Sequence, residues 1–280
     1  MTHSTIMTHS TIKSMPVWKW GLLLLVSLVL SMLMYSIAQA VFMVIGNQWV
    51  QWPVGVAFSA AMIGLYALFV KWFEKHKAQD IPLNRFAQDT AKGLGIGFAF
   101  FSIVVLIMML FGSYRIDSMT DKPMHIVSAF FLFLLVGTGE EIMFRGVLFR
   151  WIDEKWGYVA ALIVSSVIFG LIHISEPSAT LWSSLAIAVE AGLLLGAAYK
   201  YSETLWLPIG IHWAWNFTQG NIFGFSVSGN NAGVSLLKST VIGPDWLTGG
   251  SFGAEASVIA PLLGLLLSAW YIWKIIRSPF

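Results

Sequence analysis

The hydrophobic positions of this chain do not recur with a helical or strand period but run on without a break. Eight stretches, at about 20–45, 52–72, 93–112, 124–150, 157–175, 180–200, 205–221 and 256–274, are almost wholly apolar. Each approaches the roughly 20 residues that carry a helix across a hydrocarbon core. Backbone polar groups in lipid are satisfied only inside helices or closed barrels, and these runs lack the alternation of barrel strands. The pattern predicts an all-α fold, a polytopic transmembrane helical bundle of about eight spans. The seventh run is short and opens at a turn containing Pro208.

Two polar segments interrupt the runs. Residues 74–92, EKHKAQDIPLNRFAQDTAK, read as a connecting loop whose NRFAQDTAKG part is expected to form a short interfacial helix before the third span. Residues 222–255 are rich in Gly, Ser and Asn (SVSGNNAG, GPDWLTGGSFG) and read as a long loop without regular structure. Neither segment carries a phosphate-binding glycine pattern, a nucleic-acid-binding patch or a separate soluble domain. The expected organisation is an N-terminal tail, 1–19, and one membrane domain, 20–280, with no nucleic-acid partner. Residues 1–12 are MTHSTI twice over, a repeat without fold content. The first apolar run is too long for a signal-peptide core and has no small-residue cleavage pattern behind it, so it is expected to be retained.

Composition agrees: 57% of residues are hydrophobic and 11% charged, against about a quarter charged in soluble proteins. Lys and Arg near span ends stay on the cytoplasmic side. With the N-terminus inside, Lys13, Lys19, Lys71, Lys75, Lys77, Arg85, Lys92, Arg150, Lys155, Lys200, Lys274 and Arg277 fall inside, and Arg115, Lys122 and Lys238 outside. This asymmetry predicts a multi-pass protein of the cell membrane, with membrane lipid around it and both termini cytoplasmic. Many of the 14 tryptophans sit at predicted span ends, where an amphipathic ring is favoured. The chain has no cysteine, which excludes thiol catalysis, thiolate metal ligation and disulfides.

The candidate chemistry lies in the few ionisable and amide groups inside the spans. A charge at the bilayer centre costs on the order of 3 kcal/mol on insertion scales, so such groups face the bundle interior and seek partners. The fourth span holds Glu140, Glu141 and Arg145, the fifth His173, the sixth Glu190, and the seventh His212 and Asn216. At about 100° per residue, Arg145 lies about 40° from Glu141 and about 140° from Glu140. Glu141 and Arg145 therefore have the spacing and order of a helical ion pair, and Glu140 is left for acid–base work. In the competing arrangement both glutamates bind Arg145 and only knit the bundle together. His212 and Asn216 share one helix face, and Phe169 and His173 have the same spacing, with Gly170 allowing close approach of another helix. Glu190 has no charged partner on its own helix and reads as structural or gating.

One base candidate, two imidazoles and an amide from three helices can activate a water and stabilise an oxyanion, the operations amide hydrolysis needs. Glu140, His173 and His212 could equally ligate zinc with water in the fourth position. No HExxH, intramembrane GxGD or GxSG pattern is present.

EEIMFR, FGLIH and HWAWN follow one another in the order of the EExxxR, FxxxH and HxxxN motifs. In this the chain resembles the CPBP family of intramembrane proteases, which groups the CAAX prenyl endopeptidases with bacteriocin-processing, bacteriocin-immunity and abortive-infection proteins. The resemblance covers about residues 124–221. It implies an endopeptidase acting on a membrane-associated or lipidated, CAAX-like protein or peptide, from a cavity expected to open toward the cytoplasm. Glu140 would be the general base assisted by His173, His212 and Asn216 the oxyanion hole, and Glu141 with Arg145 the brace. No cofactor is favoured, although zinc is possible. The alternatives are a non-enzymatic immunity or adaptor protein on the same scaffold, or a proton-coupled transporter, for which an inverted repeat would be expected and none is visible. Depth along the helices poses one tension. Counted from their inner ends, Glu140 and Asn216 fall at roughly 15 Å and His173 at roughly 24 Å, so the fifth span is expected to start above the membrane surface or to tilt.

Overall fold

The computed structural model describes residues 11–277; positions 1–10 of the MTHSTI repeat lie outside the described residues. Among the described residues the chain folds as a helical bundle in which seven helices are long and apolar enough to cross a membrane. They are α1 (Val17–Val44), α2 (Gln48–Glu74), α3 (Leu83–Leu110), α4 (Pro123–Trp156), α5 (Tyr158–Ser175), α6 (Leu181–Ser202) and, after α7, α8 (Ile259–Arg277). The shorter α7 comprises Trp206–Phe217 and a π turn, Thr218–Ile222. Starts and stops follow local chemistry. Asn47 caps α2 by accepting the Trp49 N–H, Pro123 opens α4, and Thr180 with Ser183 forms a capping box on α6. Gly157, at φ +87°, ends α4.

Side-chain pairing assigns the helix ends to two sides. At one end Arg150 grips both oxygens of Glu74 at 2.5 and 2.6 Å, Asp80 accepts from Tyr66 and Tyr199, Lys200 pairs with Asp153, and Arg85 reaches the Ser202 carbonyl. This basic end collects the termini of α2, α4 and α6 and the starts of α3 and α7, as eight alternating crossings require. The opposite, loop end holds the 113–121 and 222–258 connections.

Three expectations are corrected. The NRFAQDTAKG segment is not a separate interfacial helix but the opening turns of α3. Its polar groups have partners in the bundle: Asp89 is buried, paired with Arg85 at 2.9 Å and accepting from Thr204 at 2.9 Å. Gly93 and Gly97 then let α3 lie directly on the α7 backbone around Leu207, Gly210 and Trp215, the small-residue contact expected where lipid supplies no hydrophobic drive. Second, α4 runs six residues beyond 150, to Trp156, so Glu140 lies roughly 24 Å from its end and His173 roughly 22 Å from the start of α5. That removes the depth tension between them. The start of α7 is recessed, with Thr204 and Leu205 fully buried, which brings Asn216 deeper as well.

Third, 222–255 has regular structure. Strand β1 (Tyr114–Met119) pairs antiparallel with β2 (Leu237–Val241), Tyr114 opposite Val241 and Met119 opposite Leu237, with a bulge between Ile116 and Ser118. Composition concealed this because the rest of the segment is held by amides at the end of α7. Asn221 donates to the Ala232 and Val234 carbonyls at 2.9 and 2.8 Å, and Gln219 to Ser226 at 2.6 Å. The turn at Val227–Asn230 is clasped by Glu255, which accepts the Ser228 N–H, by the Phe252 carbonyl, which accepts the Gly229 N–H, and by Glu176, which accepts from Asn230.

Glu255 is fully buried, and burial pushes its carboxyl up to about 7, against the opposing hydrogen bonds from Ser228 and Gln219. The unfolded chain gives up this proton from about pH 4.5, as an ordinary glutamate does, whereas the folded chain holds it to near pH 7, so across that window stability falls as pH rises. Glu255→Gln removes this slope. Its unfolding midpoint relative to wild type is expected to improve progressively between pH 5 and pH 8 in detergent, and a constant offset would refute the assignment.

Candidate active site

Glu140 and Glu141 end the first α-helical part of α4; the next eight residues, Ile142–Phe149, are a π turn that includes Arg145, and α-helix resumes at Arg150. Such turns concentrate at functional positions because they redirect side chains within a continuous helix. The ion pair survives the change of pitch: Arg145 Nη1 donates to Glu141 Oε1 at 2.9 Å, and both residues are 0% exposed. Arg145 Nη2 also donates to the Ala191 and Gly192 carbonyls at 3.0 and 3.1 Å. Those carbonyls lie in a second π turn, Ala188–Leu193 of α6. The guanidinium stacks 4.9 Å over the Phe169 ring of α5. One cation thus ties together α4, α5 and α6.

Glycines bring the remaining groups close. A Cβ at Gly137 would lie 3.2 Å from the Trp213 nitrogen and 3.6 Å from the His212 Cβ, so α7 crosses α4 beside the glutamates. His212 Nδ1 donates to Glu141 Oε1 at 2.8 Å, while its Nε2 stands 3.8 Å from Glu140 Oε2. Asn216, one turn on along the same face, is buried with it. On α5, Gly170 packs against Ala188 and the Ser184 carbonyl of α6, and the Phe169 carbonyl accepts His173 Nδ1 at 2.7 Å. The Phe169 ring is 4.9 Å from His173 and 6.3 Å from His212, so the two imidazoles flank one aromatic ring.

The two adjacent glutamates therefore differ. Glu141 is sealed and bound by a guanidinium and an imidazole. Glu140 keeps 16% of its side chain exposed and faces only the His212 edge among the charged groups paired with it. Because a carbonyl only accepts, His173 is fixed with its proton on Nδ1 and a lone pair on Nε2. Glu190 does not join this cluster: it is fully buried, packs against Gly264 of α8 and faces Glu255.

Among the described residues, Glu140, His173 and His212 do not form a group whose ligand atoms all lie within 4.8 Å of one another. The Nδ1 bonds of His212 to Glu141 and of His173 to the Phe169 carbonyl leave the Nε2 atoms as the ones that could meet a metal or a water. Among the described residues the group of three with ligand atoms within 4.8 Å of one another is Glu74, His76 and Glu154, at the basic end, where Arg150 already engages both Glu74 oxygens.

Residues 122–218, which contain the whole cluster, match the family model described as type II CAAX prenyl endopeptidase Rce1-like. A curated protein of Bacillus subtilis (strain 168), named "Putative membrane peptidase YdiL", is 28% identical over 108 residues. Both are partial likenesses: the family match lies in α4 to α7, and the second covers 37% of this chain and 42% of the relative, so the chain spans less than half the length of the curated relative it matches. No solved structure matches the chain.

Sequence reasoning paired Glu141 with Arg145 but not with His212, because a contact between α4 and α7 leaves no trace in the spacing of either helix. The Ala191 and Gly192 carbonyls were equally hidden, being backbone groups of another helix. Removing the cation strands a buried carboxylate, which costs about 3–5 kcal/mol. Arg145→Ala is therefore expected to lower the unfolding midpoint sharply. Arg145→Lys should recover only part of it, since an ammonium cannot span Glu141 and two carbonyls. Equal midpoints for Arg145→Ala and wild type would show that the pair does not hold the bundle.

Proposed function

We propose that this chain is an intramembrane endopeptidase that hydrolyses a peptide bond of a membrane-associated or lipidated, CAAX-like protein or peptide, using water activated by Glu140. The observation that carries the reading is the contrast between the two neighbouring glutamates, one sealed in an ion pair and one left accessible beside the His212 imidazole.

The groups divide the reaction as follows. Glu140 takes a proton from water while the water oxygen attacks the scissile carbonyl carbon. His173, its Nδ1 proton held by Phe169, accepts the second water hydrogen at Nε2 and fixes the attacking orientation. The carbonyl π electrons move to oxygen, and the resulting oxyanion meets the Asn216 amide and His212 Nε2. Glu141 holds the Nδ1 proton of His212, and Nε2 donates there when the ring carries a second proton as the imidazolium. Collapse restores the carbonyl and breaks the C–N bond, and Glu140 returns its proton to the leaving amine. Arg145 contributes by keeping Glu141 in place. Burial of the site within the spans suits a substrate that is itself anchored in the bilayer.

The matching arrangement in the membrane puts the basic end, with both termini, in the cytoplasm. The absence of native cysteine makes this directly measurable. A cysteine introduced at Asn231 should react with a membrane-impermeant maleimide in intact cells, whereas one at Lys77 should react only after permeabilisation. The opposite labelling would invert the topology.

Cleavage of a membrane-anchored peptide library, with and without lipidated members, tests the chemistry. Glu140→Ala and His173→Ala are each expected to reduce turnover by about 10²- to 10⁴-fold, and Asn216→Ala by about 10²- to 10³-fold, with wild-type activity kept in chelator. Loss in chelator restored by zinc would replace this mechanism with a metal one. Biological function intact in Glu140→Ala would favour an immunity or adaptor role on the same scaffold.

A further inference from the structure

The Rce1-like match begins at residue 122, yet the side chain packed on Gly139, next to Glu140, comes from α1, far outside it. The Tyr35 ring covers Gly139: a Cβ there would sit 2.5 Å from Tyr35 Cδ2, 3.0 Å from Cγ and 3.2 Å from Cβ. Glycine at 139 is therefore what lets α1 deliver a ring onto α4 at this level. The ring contact with Gly139 brings the Tyr35 hydroxyl close to the Glu140 carboxylate and to Gln39, one helical turn further along α1. An ionised carboxylate only accepts, so a hydrogen bond between them has the phenol donating to Glu140, with its oxygen left to accept from the Gln39 amide. The ring edge is fixed by packing against the small cluster of Phe133, Val136 and Val227, the last of these from the clasped turn of the 222–258 connection. The charged groups facing the hydroxyl are Glu140 and Glu176, and Asn230 donates to Glu176 at 2.8 Å.

We propose that Tyr35 is a positioning residue for Glu140. This rests on the reading of Glu140 as the base. That base lacks the guanidinium that orients its neighbour, and a carboxylate without a fixed partner samples several rotamers. A donated hydrogen bond from Tyr35, itself held by Gln39 and by ring packing, restricts Glu140 to one of them and leaves its remaining lone pairs for the water. The Gln39–Tyr35–Glu140 relay supplies from α1 the kind of orientation that Arg145 supplies to Glu141 from within α4.

The experiment compares wild type with Tyr35→Phe, Tyr35→Ala and Glu140→Ala on the same anchored peptide substrate. Alongside it, a double-mutant cycle between Tyr35→Phe and Glu140→Gln is read by unfolding in detergent. Tyr35→Phe keeps the ring on Gly139, so its unfolding midpoint should stay near wild type. Its kcat should fall about 10- to 100-fold with KM unchanged, the loss expected for one charge-assisted hydrogen bond. The cycle should give a non-zero coupling. A wild-type kcat in Tyr35→Phe, with loss confined to a destabilised Tyr35→Ala, would reduce the residue to packing and overturn the proposal, as would zero coupling. Equal activity in Glu140→Ala and wild type would instead remove the reading of Glu140 as the base, and that outcome is recognised independently of the Tyr35 variants.

Discussion

The buried ion pair between Glu141 and Arg145 is the interaction on which the arrangement of this bundle depends. Both groups are withdrawn from water, and their separation energies in a low-dielectric interior are too large to be left to one contact. The structure spreads them over four helices. Arg145 reaches the α6 backbone and stacks on Phe169 of α5, while Glu141 takes His212 from α7. In lipid, where apolar faces gain little by meeting each other, this polar cross-link and the glycine contacts beside it decide which helices touch. Two π turns meet at this cross-link, Ile142–Phe149 of α4, which carries Arg145, and Ala188–Leu193 of α6, which supplies the Ala191 and Gly192 carbonyls.

The same constraint explains what could be read along the chain. The helices were legible because continuous apolar runs have no other stable form in a bilayer. Glu141–Arg145 was legible because both partners sit on one helix, where spacing becomes geometry. The partners that the sequence could not reveal all come from elsewhere in the chain. His212 approaches Glu141 across the Gly137 crossing, and Tyr35 reaches Glu140 over Gly139. In principle, Tyr35 and Gln39 share the spacing that flagged His212 and Asn216, but on α1 they stand without a motif to single them out. The β1–β2 pairing was hidden for a different reason. LKSTV and YRIDSM are short, mixed in polarity and more than a hundred residues apart, so neither looks like a strand until the other is beside it.

The loop end complements the ion pair. β1 belongs to the connection between α3 and α4, and β2 to the connection between α7 and α8, so their pairing joins the two helices that carry the glutamates and His212. Gln219 and Asn221 extend this by converting the end of α7 into a set of amide donors for the chain that follows. Such a segment, rich in glycine and serine, would otherwise lose too much conformational freedom to remain ordered. The polar end groups of α7 therefore order the connection that packs back over Phe133 and Val136 of α4.

Adjacent placement of Glu140 and Glu141 then has a physical purpose. Consecutive helical residues point about 100° apart, so a single turn can drive one carboxylate into the packed interior and leave its neighbour at the edge of the space between α1, α4 and α7. The imidazole of His212 reads both, with Nδ1 on Glu141 at 2.8 Å and Nε2 turned toward Glu140 at 3.8 Å. Moving either glutamate by one position would break this sharing. One residue earlier, a carboxylate would replace Gly139 and displace the Tyr35 ring. The requirement for glycine at 139 and for two acids after it comes from three helices meeting at one level of the bundle.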